Sequence, residues 1–201
     1  MKKPLHVIYI PGIADNIYRV QSALVKTWHF SGARGHCHEM PWFGPESYEA
    51  KFQRLLGEID KHVAEGHDVA LVGTSAGASA VLNAFVARPD KIKGVVLLCA
   101  KINYPETVSQ KTYARNPAFK ESLEQLQANL LKLTARQKER ILSCYSPADG
   151  TVPYEATAIP GVQERRLPQL RHARAILYGI TFGAPGFIRF LKSSKPETSK
   201  T

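Results

Sequence analysis

The segment Gly73-Thr74-Ser75-Ala76-Gly77 has the residue types and the spacing of a serine nucleophile held on a sharp turn. It follows the buried-strand pattern DVALVG and leads directly into a helix pattern rich in small residues. Glycines two positions before and after the serine let neighbouring backbone approach without Cβ clashes. Such a turn exposes the Ser75 hydroxyl above a sheet and places the Ala76 N–H where an oxyanion develops. The pentapeptide also suits a plain strand–helix turn in which the serine only caps the helix.

The run His36-Cys37-His38-Glu39 contains side chains that could bind a metal ion. Successive side chains of a strand point to opposite faces, so His36 and His38 share one face and Cys37 lies on the other. We therefore expect an edge strand with two surface histidines and no metal. Serine chemistry needs no cofactor, and we expect none.

The elements that would position Ser75 alternate between strand patterns and helix patterns. Three strand–helix pairs follow one another, at 5–10 and 17–28, at 36–40 and 47–65, and at 68–73 and 76–86. A fourth strand, GVVLLCA at 94–100, is apolar on both faces, as in a sheet covered on both sides. This alternation predicts a parallel sheet.

After residue 100 the alternation pauses. Residues 101–140 form a polar loop followed by two helical stretches, which predicts a small helical cap inserted above the sheet. The strand patterns RILSCYS and 162–168 follow, and then a last helix over 173–190 that its glycines and proline would bend or interrupt. The predicted fold is an α/β domain over 1–192 with about six parallel strands and helices on both faces. We expect the polar tail 193–201 to be disordered.

Composition excludes several protein classes. A chain of 201 residues has room for one sizeable core. No apolar run is long enough for a membrane span, and the first residues lack the pattern of a secretory signal. The apolar neighbours of Cys99 and Cys144 predict buried thiols instead of a disulfide framework. We therefore expect a cytoplasmic protein.

The chain is strongly basic, with a formal net charge of +10. Its basic residues are spread along the sequence without the interleaved aromatics of a base-stacking surface. We expect an ordinary solvated basic face and no nucleic-acid partner, although charge alone leaves anion or nucleic-acid binding open. Basic residues of the insertion suit either an anionic substrate or a solvated cap surface; they are Lys101, Lys111, Arg115 and Lys120.

The order of these motifs resembles the α/β-hydrolase family over most of residues 5–192. In that family the acid and the base follow the nucleophile along the chain. The resemblance implies that Asp149, in the loop after RILSCYS, is the acid, and that His172 is the base. No other histidine lies beyond Asp149. Taken singly, Asp149 is better explained as an Asp-Gly turn former and His172 as a helix-start residue, and only their combination with Ser75 favours a triad.

The resemblance also implies an oxyanion hole and a pocket. The second oxyanion donor would be the Ile13 N–H in Pro11-Gly12-Ile13, where the family usually has a His-Gly pair. Proline at that position is a departure, but a backbone donor can survive it. Because the strand before the oxyanion loop starts at Leu5, we expect the family's antiparallel N-terminal strands to be absent and the domain to be compact. The residues that we expect to contact substrate are Gly12, Trp42, Tyr104 and Tyr113. In the insertion, Phe119 and the leucine-bearing helix face would join Tyr104 and Tyr113 in an apolar lid.

The implied activity is hydrolysis of an ester or related acyl bond in a small molecule, through an acyl-enzyme intermediate. The same three residues would serve a thioesterase, an amidase or peptidase, or an acyltransferase. A non-enzymatic protein that uses the pocket to bind a ligand also stays open. Neither the oligomeric state nor the substrate follows from the sequence.

Overall fold

The computed structural model describes residues 4–13 and 18–195. Within them the strands form one six-stranded sheet in the order β2-β1-β3-β4-β5-β6, and every neighbouring pair is parallel. The strands are β1 (Leu5–Ile10), β2 (Arg34–Cys37), β3 (Asp68–Thr74), β4 (Ile92–Leu98), β5 (Ile141–Tyr145) and β6 (Gln163–Arg166). The connections after β1 and β3 run in opposite directions, which opens a crevice at their carboxyl ends.

Helices cover both faces of this sheet. They are α1 (Tyr18–Lys26), α2 (Tyr48–Ala64), α3 (Gly77–Ala87), α4 (Gln110–Arg115), α5 (Pro117–Leu130), α6 (Ala135–Lys138), α7 (Tyr154–Thr157), α8 (His172–Ile180) and α9 (Ala184–Ser193). Alternating residues of the central strands feed two cores: Ile8 and Ile10 pack with α2, α3 and α5, and Val7 and Tyr9 pack with α1, α8 and α9. This explains why the central strands are apolar on both faces.

The predicted α/β fold with about six parallel strands is confirmed, with shifted boundaries. The second strand, expected at 36–40, lies at Arg34–Cys37, and the fourth begins two residues early and ends at Leu98, before the left-handed backbone of Cys99 (φ 48°). The last helix is interrupted between Ile180 and Ala184. None of the described helices is long and apolar enough to cross a membrane.

The segment predicted as a cap serves two purposes. Its helix α5 packs on the face formed by α2 and α3, with Leu123 and Leu126 fully buried, so this helix is a layer of the fold. The stretch before α5 contributes residues to the cavity beside Ser75. Of the predicted disordered tail, Ser193 ends α9 and Ser194 is buried, while residues 196–201 lie outside the described residues.

Candidate active site

Ser75 lies on the turn between β3 and α3 in a strained backbone conformation. Its φ of 49° is in the left-handed region, which costs a residue with a Cβ about 1–2 kcal/mol. Two backbone hydrogen bonds hold it there: Ser75 N–H donates to the Leu98 carbonyl at 3.1 Å, and the Ser75 carbonyl accepts from Lys101 N–H at 3.1 Å. The end of β4 thus fixes the turn that presents the Ser75 hydroxyl.

Glycines allow the end of β1 to lie directly against this turn. A Cβ on Gly77 would lie 2.2 Å from the Ile10 carbonyl oxygen, and a Cβ on Gly12 would lie 2.8 Å from the Ser75 Cβ. Both distances are shorter than any tolerated contact, so neither position accepts a side chain without backbone movement. The spacing of glycines seen in the sequence therefore reflects the contact between β1, β3 and α3.

A chain of hydrogen bonds links Ser75, His172 and Asp149. The His172 Nε2 lies 3.1 Å from the Ser75 Oγ, and the His172 Nδ1 lies 2.7 Å from the Asp149 Oδ2. The other carboxylate oxygen, Oδ1, accepts the backbone N–H groups of Thr151 (3.0 Å) and Val152 (2.9 Å). With Asp149 ionised, the imidazole carries its proton on Nδ1 and offers the Nε2 lone pair to the serine hydroxyl.

The environment of Asp149 favours its charged form. Burial alone would raise the pKa of this carboxyl, but the hydrogen bonds from His172 and from the backbone of Val152 and Thr151 outweigh it and lower the pKa. The Cys99 thiol lies within 4.8 Å of a carboxylate oxygen of Asp149. Burial, and then the negative charge of Asp149, raise the pKa of Cys99, so this neighbour stays a neutral thiol.

Ser146 connects the loop of Asp149 to the segment that leads into His172. Its buried hydroxyl lies 2.6 Å from the Leu170 carbonyl oxygen and 2.9 Å from that of Pro168, and it accepts the Leu170 N–H at 3.0 Å. The hydroxyl thereby fixes the distance between two loops that are far apart in sequence. Sequence reasoning missed this residue because nothing in the string SCYSPADG distinguishes Ser146 from an ordinary turn serine.

The two expected oxyanion donors lie beside Ser75. Ala76 immediately precedes α3, and both Ala76 and Ile13 line the same cavity as Ser75 and His172. The buried indole of Trp42 donates from Nε1 to the Pro11 carbonyl at 3.1 Å and so supports the loop that carries Ile13. A tryptophan therefore braces the loop Pro11-Gly12-Ile13.

The cavity above Ser75 has a volume of about 370 Å³. One part of its wall is apolar and includes Val108, Phe119 and Val152, and another part is polar. The polar part includes hydroxyl-bearing residues of the stretch before α5, namely Thr107, Ser109 and Thr112. The arrangement can accommodate a compact group with one apolar and one polar side.

The predicted substrate-contacting residues are not on this wall. Tyr113 and Trp42 are buried behind Phe119, with ring centroids 6.0 Å and 5.9 Å from it. Tyr104 is 51% exposed and lines a separate open cavity with Tyr154. Gly12 lies under Ser75 and does not line the cavity. The rings of Trp42 and Tyr113 are buried and that of Tyr104 is largely exposed, whereas the ring of Phe119 lines the cavity.

Lys101 is the basic residue of the insertion that reaches the cavity. It is buried, and its Nζ donates to the Tyr104 carbonyl (2.9 Å) and to the Thr107 Oγ1 (2.7 Å). Burial lowers the pKa of this ammonium group. The other three basic residues proposed for the insertion are exposed and do not line the cavity; they are Lys111, Arg115 and Lys120.

The histidines of β2 and the loop after it differ from expectation. His36 and His38 do share a face, but both hydrogen-bond to the Glu58 carboxylate of α2, and Cys37 packs against the opposite core. His38 is buried, so the prediction of two surface histidines is wrong for this residue. The helix that covers this face explains the burial.

No protein-family model matches the chain, and no curated protein matches it significantly. Solved structures share its fold. A monoacylglycerol lipase from Paleococcus ferrophilus superposes with a TM-score of 0.61 at 15% identity, covering 94% of each chain. Est1E from Butyrivibrio proteoclasticus gives 0.66 at 15% identity, over 96% of this chain and 90% of that one. The meta-cleavage product hydrolase CumD from Pseudomonas fluorescens gives 0.68 at 12% identity, over 94% and 91%.

Proposed function

The chain has the α/β-hydrolase fold, and from this premise we propose that it is a serine hydrolase that cleaves an ester or related acyl bond. One observation carries the proposal: the hydrogen-bonded series Ser75, His172 and Asp149 opens into a cavity at the carboxyl edge of the sheet. The fold alone is compatible with many chemistries, and it is these three side chains that support acyl hydrolysis.

In the proposed first step the Ser75 Oγ attacks the acyl carbon while its proton passes to the His172 Nε2. The 3.1 Å between these atoms is within the range for direct proton transfer. Asp149 holds the imidazole in the required tautomer and stabilises the imidazolium that forms. The backbone N–H groups of Ala76 and Ile13 would hold the negative oxygen of the tetrahedral intermediate.

The imidazolium then returns this proton to the leaving oxygen, the bond from carbon to that oxygen breaks, and an acyl-Ser75 ester remains. A water molecule repeats the sequence: His172 takes its proton, the hydroxide attacks the acyl carbon, and the proton returns to Ser75. The products are a carboxylic acid and an alcohol, and the chain is restored to its starting state.

The cavity favours a small acyl group. Ligand cavities usually measure about 300–1,000 Å³, and the 370 Å³ beside Ser75 is at the lower end of that range. Val108 and Phe119 offer apolar contact, while Lys101 and the hydroxyl groups near it offer polar contact. We therefore expect short-chain acyl esters to be better substrates than long-chain ones.

Labelling with a fluorophosphonate probe tests whether Ser75 is activated. Wild-type protein should form one adduct on Ser75, detectable by mass spectrometry, and Ser75→Ala and His172→Ala should not react. Ser193→Ala is the matched control because Ser193 is an exposed serine at the end of α9 that does not line the cavity, and this variant should label like wild type. Folding of each variant is checked by circular dichroism.

The second measurement is hydrolysis of p-nitrophenyl acetate, butyrate and octanoate, with an acyl thioester and an anilide for comparison. Hydrolysis that depends on Ser75 supports the proposal, and the relative rates on the butyrate ester, the thioester and the anilide separate an esterase from a thioesterase or amidase. Folded wild-type protein that neither labels nor hydrolyses any of them would refute the proposal in favour of ligand binding.

A further inference from the structure

A cluster of histidines lies at the end of the sheet opposite Ser75. Its rings belong to the start of β1 (His6), to β2 (His36), to the last turn of α2 (His62) and to the residue before β3 (His67). Neighbouring rings are in contact, with centroid separations of 5.3 Å for His36–His62, 4.7 Å for His62–His6 and 3.8 Å for His6–His67. The proposed hydrolase chemistry uses none of these groups.

Three of these rings bring possible ligand atoms close together. One nitrogen each from His6, His62 and His67 lies within 4.8 Å of the other two. A tetrahedral zinc site with zinc–nitrogen bonds of about 2.0–2.1 Å places its nitrogen donors about 3.3 Å apart. The His6 and His67 rings are stacked, with an interplanar angle of 16°, so one of them must rotate about its side-chain torsions for both to direct a lone pair at one ion. The backbone already brings the three ligands together from two strand ends and one helix.

The same rings carry unpaired buried nitrogens. His6 is only 8% exposed, and its Nε2 has no hydrogen-bond partner among the described residues. In the same part of the chain, the buried Nδ1 atoms of His62 and His67 also make no hydrogen bond. Unpaired buried polar atoms are rare because they lose water without replacing it. Unpaired nitrogens on these three rings leave lone pairs available to a cation.

Glu65 supplies a fourth donor of opposite charge. Its Oε2 lies 3.3 Å from the His62 Nδ1 and 3.5 Å from the His67 Nδ1, close enough to pair but without hydrogen-bond geometry. The left-handed Gly66, at φ 82°, lies between Glu65 and His67, and both side chains lie near His62 of the last turn of α2.

We propose that His6, His62, His67 and Glu65 form a binding site for a zinc-class divalent ion. Three imidazoles and one carboxylate are a donor set that suits zinc and its transition-metal neighbours, and not calcium or magnesium. All four positions would come from the protein, as in structural zinc sites. The ion would join β1 to the end of α2 and to the turn before β3.

A neighbouring group helps to define the site. His36, Glu58 and His62 also have ligand atoms within 4.8 Å of one another. Both Glu58 carboxylate oxygens, however, already bond to His36 and His38. This group is therefore satisfied without an ion, and His36 provides a matched control: a ring of the same cluster that the proposed site does not use.

The test uses the full chain without a histidine tag, freed of metal with a chelator and titrated with zinc sulfate against a chromophoric competitor. We expect one equivalent to bind, the melting temperature to rise, and cobalt(II) to give the visible absorption of a tetrahedral site. His67→Ala should weaken zinc binding at least 100-fold, and Glu65→Gln at least tenfold. His36→Ala and the exposed control His29→Ala should bind like wild type.

Several results would overturn the proposal. One is the absence of stoichiometric binding to the folded wild-type chain. Another is equal affinity in wild type and His67→Ala, which would place the ion elsewhere. Loss of binding in His36→Ala would assign it to the Glu58 group. Because Cys99, Asp149 and His172 also bring ligand atoms within 4.8 Å of one another, binding that His172→Ala abolishes would place it at the active site.

Discussion

Replacing Asp149 by asparagine should reduce activity by changing which imidazole nitrogen carries the proton. The Asp149 Oδ1 accepts two backbone N–H groups, from Thr151 and Val152, so the amide oxygen of asparagine must take that position. Its NH₂ group then faces the His172 Nδ1, where Oδ2 was at 2.7 Å. Because NH₂ is a donor, Nδ1 becomes the acceptor and the proton moves to Nε2, which faces Ser75.

An imidazole with its proton on Nε2 cannot accept the Ser75 proton. Serine enzymes that lose the carboxylate in this way lose about 10⁴-fold in rate, which at 1.36 kcal/mol per factor of ten is about 5 kcal/mol. We expect kcat/KM for p-nitrophenyl butyrate to fall by about that factor, and fluorophosphonate labelling to slow in parallel. The matched control is Asp60→Asn, a carboxylate of α2 that pairs with Arg88 and Lys91 away from the cavity.

The reasoning is refuted if Asp149→Asn folds normally and retains more than about a tenth of the wild-type kcat/KM, about 1.4 kcal/mol. That result would mean that the contact between Asp149 and His172 does not set the tautomer. A comparable loss of kcat/KM in Asp60→Asn would show instead that the assay responds to a general loss of stability.

Three further outcomes are expected. Gly12→Ala should lower kcat/KM by about 100-fold, because its Cβ would lie 2.8 Å from the Ser75 Cβ; Gly57→Ala, where space is open, is the control. Ser146→Ala should destabilise by about 1–3 kcal/mol in urea unfolding, because the Leu170 N–H loses its acceptor. The pKa of Asp149 is lowered on folding, so its stabilisation is complete above the ordinary 3.8 and is lost as pH falls through the folded value. The stability gap between wild type and Asp149→Asn should therefore narrow from pH 7 to pH 3, and a constant gap would contradict this.

The sheet and the turn at Ser75 could be predicted because the residues that determine each of them lie close together in the sequence. β1, β3 and β4 are short apolar runs, and a parallel sheet covered on both faces requires that pattern. The glycines around Ser75 are required for steric reasons, because a Cβ at Gly77 or Gly12 would clash with neighbouring atoms. Patterns of this kind need no knowledge of distant residues.

The cavity wall could not be predicted because side-chain direction depends on packing between distant segments. Tyr113 turns inward because its hydroxyl donates to the Pro105 carbonyl at 2.7 Å and its ring packs beside Phe119. Trp42 is fixed by its bond to the Pro11 carbonyl, 31 positions away. No periodicity in the sequence encodes these contacts.

The histidine cluster shows the same limitation in another way. In the sequence, the possible metal ligands that stand out are His36-Cys37-His38-Glu39, because they are adjacent. The proposed site instead combines positions 6, 62 and 67, and only the pairing of Leu5 with Asp68 places His67 next to the start of β1. Strand register, which depends on the whole sheet, creates this site.

β1 runs from the histidine site to the loop beside Ser75, and its length limits how the histidine site can affect catalysis. Its six residues, at about 3.3 Å each, separate the histidine end from the catalytic end by roughly 20 Å. His6 is at one end, and the loop with Gly12 and Ile13 continues from the other. An ion at His6 is too far away to touch a substrate at Ser75. Its effect on catalysis would have to pass through β1, whose residues are already buried in both cores. A role in stability is therefore the role that this geometry permits.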